Sequence, residues 1–307
     1  MAAIATRESY GNVLLELGAE NENIVVLDAD LSGSTKTAGF AKKFPERFFN
    51  AGIAECNMMG MAAGLAISGK TVFASTFAMF AAGRAYEIIR NSIAYTEANV
   101  KICATHAGLT VGEDGASHQC IEDIALMSAI PGMLVINPSD DVSARALIRA
   151  AAEYKAPAYI RLGRSAVPVL YEEGREFTIG KAERLHEGKD CCIIATGIMV
   201  SEALKAAETL SGEGIECRVV DMHTIKPLDE EEVLAAAKEI GKIVTAEEHS
   251  VVGGLGSAVA SFTAGNCPCR VEVVGVRDVF GQSGSPGELM EHYGLSAQHI
   301  AQAVRRI

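Results

Sequence analysis

Residues 100–119 read VKICATHAGLTVGEDGASHQ. The first six form a short apolar run, which is typical of a buried strand. The run opens into a loop with three glycines, two acidic residues and two histidines, His106 and His118. A loop that only connects two elements rarely needs so many proton-transfer groups, and histidine is well suited to proton transfer near neutral pH. We therefore expect a buried strand here with a functional site at its end.

The same pattern of apolar runs and helical segments extends on both sides of this stretch. It is typical of parallel strands joined by helices. The strands predicted in the first half of the chain are 24–28, 70–74, 100–105, 133–137 and 158–162. The helices predicted there are 7–17, 55–68, 77–95, 118–128 and 140–154.

The alternation of apolar runs and helical segments stops over residues 167–187, which are rich in glycine and charge, and resumes after them. The later strands are predicted at 191–196, 216–221, 242–246 and 271–276, and the later helices at 200–210, 229–240 and 254–264. The pattern predicts an α/β protein with two doubly wound, mostly parallel-sheet domains. Their expected limits are 1–166 and 188–307, with 167–187 as the linker.

Composition excludes several classes of protein. The chain has 307 residues and a net charge of −12, which disfavours nucleic acid as a partner because the overall field repels polyanions. No apolar stretch approaches the roughly 20 residues of a membrane span, and no secretory signal is visible, so we expect a cytoplasmic protein without membrane contact. The eight cysteines are sparse and several lie in apolar runs, which favours buried thiols over a disulfide scaffold or a metal site.

Individual residues beyond the histidines are ambiguous by themselves. Glu55 begins a very apolar helix, where it is either an ordinary first-turn acid or a ligand-binding carboxylate. Phe77 and Phe80 have the spacing of core aromatics, although they could also form a bed for a flat heterocycle at a strand end. Arg164 follows a strand and could hold a phosphate. A glycine-rich turn, 253–256, lacks the full dinucleotide-binding pattern.

Taken together and in this order, these pieces resemble the C-terminal half of the transketolase family over essentially the whole chain. The motifs that carry the resemblance are Ala5-Thr6-Arg7, Asp28-Ala29-Asp30-Leu31-Ser32-Gly33-Ser34, Gly52-Ile53-Ala54-Glu55, Ser75-Thr76-Phe77 and the run 112–119. The resemblance implies a pyrimidine-binding domain, a smaller C-terminal domain and the cofactor thiamine diphosphate.

The resemblance also implies roles for single residues. Glu55 matches the acid that hydrogen-bonds the aminopyrimidine ring, Phe77 and Phe80 match the aromatic bed, and Asp30 matches an acid close to the cofactor and the subunit contact. His118 looks like a proton donor and acceptor near the reacting carbonyl, and the expected catalytic residues are Glu55, His106 and His118. The matches to the phosphate and sugar contacts are Arg7, Ser34, His106, Asp114 and Arg164. Arg84 and Tyr86 stand where the family pattern is not followed, and their roles stay open.

One departure bears on assembly. The family holds the diphosphate and Mg²⁺ through a Gly-Asp-Gly motif in another domain, and that motif is absent from this sequence. We therefore expect a separate N-terminal subunit that carries the diphosphate site with Mg²⁺ or Ca²⁺, in an α2β2 heterotetramer. The implied activity is transfer of a two-carbon ketol unit between sugar phosphates, as in the pentose phosphate pathway.

Other hypotheses remain at this point. The β subunit of a 2-oxo-acid dehydrogenase E1 component has the same two domains, although the His118 run and the set Arg7, Ser34 and Arg164 favour a sugar phosphate. A fragment similar to 1-deoxyxylulose-5-phosphate synthase is a weaker alternative. A non-catalytic partner of a thiamine enzyme is disfavoured because Glu55, His106, Asp114 and His118 are all intact.

Overall fold

The apolar runs of the sequence form strands, and the computed structural model describes residues 3–307. The strands are β1 Ala3–Ala5, β2 Ile24–Asp28, β3 Phe48–Asn50, β4 Thr71–Phe77, β5 Val100–Thr105, β6 Leu134–Ile136, β7 Ala158–Arg161, β8 Ala166–Pro168, β9 Glu183–His186, β10 Cys191–Ala195, β11 Cys217–Asp221, β12 Thr224–Lys226, β13 Lys242–Ser250 and β14 Arg270–Val276.

Helices follow most of these strands. They are α1 Thr6–Glu20, α2 Ser32–Thr35, α3 Ala38–Lys43, α4 Glu55–Ile67, α5 Tyr86–Ile88, α6 Asp123–Ser128, α7 Asp141–Glu153, α8 Met199–Ser211, α9 Glu230–Glu239, α10 Leu255–Asn266, α11 Pro286–His292 and α12 Ala297–Arg306. Short 3₁₀ turns cover Pro45–Arg47 and Leu109–Asp114, and wider π-helical turns cover Met79–Arg84 and Ile89–Ala94.

Two sheets organise the molecule. The larger has the order β12-β6-β7-β5-β4-β2-β3, in which only β12 runs antiparallel to its neighbour. The smaller has the order β14-β13-β10-β11-β9, with β9 as its antiparallel edge. Both sheets carry helices between parallel strands, so the predicted fold class is confirmed.

Three local predictions are wrong. Strand β4 continues to Phe77, so this residue ends a strand and does not begin a helix. The predicted helix 77–95 is broken into π and α turns. His118 lies in a turn, and helix α6 begins only at Asp123, because Cys120 forms a β-bridge with Ala107 and is therefore extended where the sequence predicts a helix.

The segment between the two sheets contains regular structure. β8 pairs with β1, and β9 forms the edge of the smaller sheet, so the predicted linker 167–187 overlaps two strands. β12, which lies far along the chain, adds to the larger sheet beside β6. The two halves are therefore interlocked, and the limits 1–166 and 188–307 stay a prediction about the sequence units.

Helix starts follow their local chemistry. Asp140 caps α7 through Ser143 in a reciprocal capping box. Asp229 accepts a hydrogen bond from the Glu232 amide at the start of α9. Within residues 3–307, no helix is both long and apolar enough to cross a membrane.

Candidate active site

The predicted site residues lie at one edge of the larger sheet, after the ends of five neighbouring strands. β7, β5, β4, β2 and β3 lie side by side and parallel, so their carboxyl ends meet. The residues that follow these ends are Asp30 and Ser34 after β2, Glu55 after β3, Phe80 after β4, His106, Asp114 and His118 after β5, and Arg164 after β7. The carboxyl edge of a parallel sheet is where such folds bind ligands.

Glu55 is a buried carboxylate at the start of α4. Its side chain is 2% exposed. Among residues 3–307 it accepts one hydrogen bond, in which Arg84 Nη1 donates to Oε2 over 3.2 Å. The Arg84 guanidinium also lies over the Phe80 ring, 5.5 Å from its centroid. One side chain thus spans the buried acid and the aromatic residue, which places Glu55 and Phe80 at the same site.

Four rings form a cluster beside this acid. Phe77 and Phe80 stack with centroids 5.8 Å apart and planes 20° from parallel. His106 stacks on Phe77 at 3.9 Å, and His118 meets the Phe80 ring edge-on at 5.5 Å. Phe77 is buried and Phe80 is half-buried. The structure therefore brings both predicted histidines onto the predicted aromatic bed.

His106 is held as a neutral ring. Arg7 Nη1 lies 3.1 Å from Nε2, and a guanidinium can only donate, so Nε2 accepts. Nδ1 then carries the proton and donates to Thr105 Oγ1 at 2.9 Å. Burial, followed by the charges of Arg7 and Arg164, lowers the pKa of His106 to about 3. In this arrangement His106 is a hydrogen-bond partner at neutral pH and does not store a proton.

Cations surround His106. Arg7 also donates to the Ser34 carbonyl at 3.1 Å, so it is the backbone of Ser34 that meets the arginine. Arg164 and Lys36 contribute to the positive field that lowers the pKa of His106. Asp28, buried at the end of β2, accepts hydrogen bonds from Leu31, Thr35 and Thr37 and so shapes the turn that carries Ser34. The chain has gathered a local cationic pocket despite its negative total charge.

Two predicted residues lie at the rim. Asp114 is exposed, with its carboxylate 3.8 Å from Arg164 Nη1. Asp30 is exposed as well, and exchanges hydrogen bonds with Asn50 in a turn of positive φ. Within the described residues, the hydrogen bonds of Asp30 reach Asn50 and none of the site residues. The roles of both acids stay predictions.

Sequence reasoning left the role of Arg84 open and gave no role to two other residues that shape the site. Arg84 reaches Glu55 from the end of the π turn Met79–Arg84, whose wider winding departs from the expected helical spacing. Glu248, in the smaller sheet, accepts a hydrogen bond from the Thr110 amide in the loop of residues 106–119, here named the histidine loop. Gln119 donates to the carbonyls of Leu109 and Gln282. No local pattern signals the contacts with Glu248 and Gln282, because both cross between the two halves of the chain.

The glycine-rich turn 253–256 has an internal ligand. Glu247 accepts hydrogen bonds from the amides of Leu255 and Gly256, at 2.7 and 2.8 Å, at the start of α10. A carboxylate of this chain therefore occupies the anion position of the helix N-terminus. This internal carboxylate takes the place that a nucleotide phosphate would need, in a turn whose sequence lacks the full dinucleotide-binding pattern.

The site lies on an open face of the chain. Ile53, two residues before Glu55, is 78% exposed, and Arg84 and Asp114 are exposed too. A cleft of about 710 Å³ elsewhere on the chain is lined by other residues, among them Lys226 and Phe262. No group of three or more metal-ligating side chains occurs within residues 3–307. The chain thus forms a buried acid and an aromatic bed beneath an exposed surface.

Comparisons with known proteins agree with this geometry. Residues 2–169 match the family model described as transketolase, pyrimidine binding domain, and residues 180–300 match transketolase, C-terminal domain. A solved structure described as a split gene transketolase, inactive beta4 tetramer, is 57% identical, with a TM-score of 0.93 over 99% of this chain and 98% of that one.

Curated relatives extend the comparison. A Methanocaldococcus jannaschii protein named as a transketolase C-terminal section is 56% identical over 97% of this chain and 94% of its own length. An apulose-4-phosphate transketolase subunit of Phocaeicola vulgatus is 41% identical over 97% and 96%. Human transketolase is 40% identical, but the chain spans only 49% of it. The predicted assignment to one subunit of a two-subunit transketolase is confirmed, and the chain belongs to the transketolase family, of which it comprises the pyrimidine-binding and C-terminal domains.

Proposed function

We propose that this subunit, once paired with a diphosphate-binding subunit, transfers a two-carbon ketol unit from a ketose phosphate to an aldose phosphate. The observation that carries the proposal is the grouping of Arg7, His106 and Arg164 beside the ring cluster. A pocket of guanidinium groups suits an anionic substrate end, since planar donors pair with phosphate oxygens. The neutral His106 ring can hydrogen-bond a sugar hydroxyl next to that anion when Arg7 turns from Nε2 to the substrate phosphate and leaves that nitrogen as the acceptor.

The residues of this chain fit the aminopyrimidine half of thiamine diphosphate. The Phe80 face is only half-buried, and the buried Glu55 carboxylate has an acceptor position beyond its bond to Arg84. A flat heterocycle with a ring nitrogen matches this pair of features. When bound, thiamine diphosphate supplies the electron sink that stabilises a carbanion during carbon–carbon bond cleavage. Glu55 would hold the ring nitrogen, and Phe77 and Phe80 would hold its plane.

His118 is the proposed proton-transfer residue at the substrate. Its ring meets the edges of both phenylalanines, and Ser117 Oγ lies 3.1 Å from its Nδ1. Nε2 is then free to give or take a proton on a substrate oxygen. Asp114 at the rim is proposed to contact a sugar hydroxyl, and Asp30 to lie near the cofactor where the subunits meet.

The partner is proposed to cover the exposed face and to bring the diphosphate site. Ile53 and Arg84 lie open beside the buried Glu55, and chemistry of this type needs water to be excluded. Mg²⁺ or Ca²⁺ would belong to the partner subunit, in an α2β2 assembly. A cytoplasmic location is proposed because all eight cysteines are free thiols, as is usual in a reducing compartment.

Reconstitution tests the proposal. The chain alone should have almost no transketolase activity, and activity should appear on mixing it with the diphosphate-binding subunit, thiamine diphosphate and Mg²⁺. Xylulose 5-phosphate should be turned over in preference to pyruvate. Full activity of the chain alone would contradict the two-subunit proposal, and preference for pyruvate would contradict the sugar phosphate.

A substitution separates the role of Glu55 from assembly. Glu55→Gln should slow proton exchange at the reactive carbon of the cofactor by about 100-fold or more, the usual scale for losing a proton-transfer partner. Cys56→Ser, at the exposed neighbouring position, is the control and should exchange at the wild-type rate. An unchanged rate in Glu55→Gln would remove Glu55 from this role.

A further inference from the structure

The histidine loop is hydrogen-bonded to, and packed against, the smaller half of the chain. The Thr110 amide donates to Glu248 Oε1 over 2.6 Å, and Glu248 is 3% exposed on β13. On the same side, Gln119 Nε2 donates to the Gln282 carbonyl at 2.9 Å, and α11 packs against residues 109–114. The loop that bears both site histidines thus contacts residues of the smaller half of the chain.

Glycine at position 108 makes this approach possible. Its φ is +81°, and a Cβ added there would lie 2.3 Å from Cδ of Glu248 and 2.4 and 2.5 Å from its two oxygens. Real Cβ atoms do not come so close to a carboxylate. The carboxylate therefore packs directly against the loop backbone, and any larger residue at position 108 would push it away.

The other side of the loop is tied to the cationic pocket. Ser165 Oγ donates to the Thr110 carbonyl at 3.0 Å, and Arg164 donates to the Val111 carbonyl. Thr110 thus has Glu248 on its amide and Ser165 on its carbonyl. A displacement of Thr110 must move the segment that carries Arg164.

A buried carboxylate is a costly way to hold a loop if only stability is needed. Burial raises the pKa of Glu248, which measures how unfavourable its charge is there. Its compensation is local: the positive charge of Arg161, which donates to the backbone carbonyl of Glu248 at 2.9 Å, and the hydrogen bond from the Thr110 amide to the carboxylate both oppose that rise. An apolar residue would fill the space without this cost, but it would leave the Thr110 amide unpaired and the loop position unspecified.

We propose that Glu248 is a positioning residue for the sugar-phosphate site: by holding the Thr110 amide, it sets the separation of His106 and Arg164 around the substrate anion. The smaller half thereby acts on the reaction through the histidine loop without touching the substrate. The inference rests on the proposed function for the identity of the substrate. The contact it invokes can be tested without any activity.

The adjacent residue supplies a matched control. Glu247 is also a fully buried glutamate on β13, but the two side chains point to opposite faces, as successive strand residues do. Glu247 caps α10 within the smaller half through Leu255 and Gly256. Loss of either carboxylate should lower thermal stability, whereas only loss of Glu248 should release the histidine loop.

The first measurement is hydrogen exchange of the full chain. Glu248→Ala should raise amide exchange in residues 106–119 by about tenfold or more, because the Thr110 amide loses a charge-assisted bond. Glu247→Ala should raise exchange near residues 255–260 and leave 106–119 unchanged. Unchanged exchange of 106–119 in Glu248→Ala would overturn the proposal, as would equal loosening in both variants.

The second measurement is kinetics of the assembled enzyme with xylulose 5-phosphate. Glu248→Ala should raise KM about tenfold while kcat changes less than about threefold, since binding geometry is lost and the proton-transfer groups are kept. Glu248→Gln should restore KM to within about threefold, because its amide oxygen can still accept from Thr110. Glu247→Ala should keep the wild-type KM. A KM that rises equally in both alanine variants would overturn the positioning role.

This design separates failure of the positioning role of Glu248 from failure of the proposed function. If Glu248→Ala does not fold, Gly108→Ala tests the same contact from the loop side and should raise KM in the same way; an unchanged KM there would contradict the proposal. If the wild-type pair of subunits has no transketolase activity, the proposed function fails. The exchange experiment still decides whether Glu248 holds the loop.

Discussion

At the residue scale, the site depends on the surroundings of His106 more than on its identity. The ring stacks on Phe77 and accepts a hydrogen bond from the Arg7 guanidinium at Nε2, and burial with the neighbouring positive charge lowers its pKa from 6.5 to about 3. Its backbone has a φ of +58°, which histidine adopts at a small cost. The residue type could be picked out from the sequence, whereas its tautomer and neutrality come from groups far away in the chain.

The lowered pKa of His106 predicts that the stability of the folded chain falls as the pH is lowered. Between pH 6.5 and pH 3 the unfolded chain binds a proton at His106 that the folded chain does not, so acid favours unfolding. Going from pH 7 to pH 5 should cost wild type about 2 kcal/mol through this group. His106→Asn, which tolerates the same backbone conformation, should show a pH 7 to pH 5 loss smaller by that amount in urea unfolding.

Wild type is the reference for this prediction, because every other titrating group is shared by the two proteins and cancels in the comparison. A pH dependence in His106→Asn equal to that of wild type would show that His106 titrates normally in the folded chain.

At the element scale, helix starts and strand ends decide which residues meet. Predictions from pattern located most strands to within a few residues, because continuous apolar runs are a strong signal for parallel strands. They failed where winding depends on packing: the π turns after Phe77 and the bridge between Ala107 and Cys120 that precedes α6. The position of Arg84 over Glu55 follows from one such π turn, which adds a residue to the helical repeat.

One helix start is expected to be unusually important. Asp140 Oδ1 accepts from Ser143 in the α7 capping box, while Oδ2 accepts from the amides of Leu170 and Tyr171 at 2.8 and 3.1 Å. Asp140→Ala should therefore lose an N-cap and leave two further amides unpaired, lowering the free energy of unfolding by about 3 kcal/mol.

An exposed capping box gives the comparison. Ser285 caps α11 and pairs with Glu288 at the surface. Ser285→Ala should cost only about 1 kcal/mol in the same urea titration. Equal losses in the two variants would mean that Asp140 acts as an ordinary cap and does not tie the segment after β8 to the helix.

At the scale of the whole molecule, the two halves share a polar interface. Arg161, 4% exposed, donates to Asp123 Oδ2 at 2.9 Å within the larger half and to the Glu248 carbonyl of the smaller half. Ser139 donates to Asp221 across the same boundary at 2.6 Å. With β12 inserted in the larger sheet, these bonds should make the chain unfold as one unit.

Removal of Arg161 tests this coupling. Arg161→Met should lower the free energy of unfolding by about 3 to 5 kcal/mol, because the buried Asp123 loses its counter-charge. Calorimetry should then show two separated transitions where wild type shows one. Arg149→Met is the control: its ion pairs with Glu16 and Glu20 are part-exposed, so it should cost less than about 1 kcal/mol. A single transition in Arg161→Met would place the coupling elsewhere.

The order of amino acids is enough to establish the α/β class, the approximate strands and the residue types of the site. Apolar periodicity reports burial along the chain, and motifs such as 112–119 are contiguous. The absence of a Gly-Asp-Gly diphosphate motif is also read directly from the chain. Folding was needed to establish that Arg84 meets Glu55, that Arg7 makes His106 neutral and that Glu248 holds Thr110 across 138 positions. These contacts depend on strand order and packing between the two sheets, and residues far apart in the chain carry no local signal of the partner they will meet.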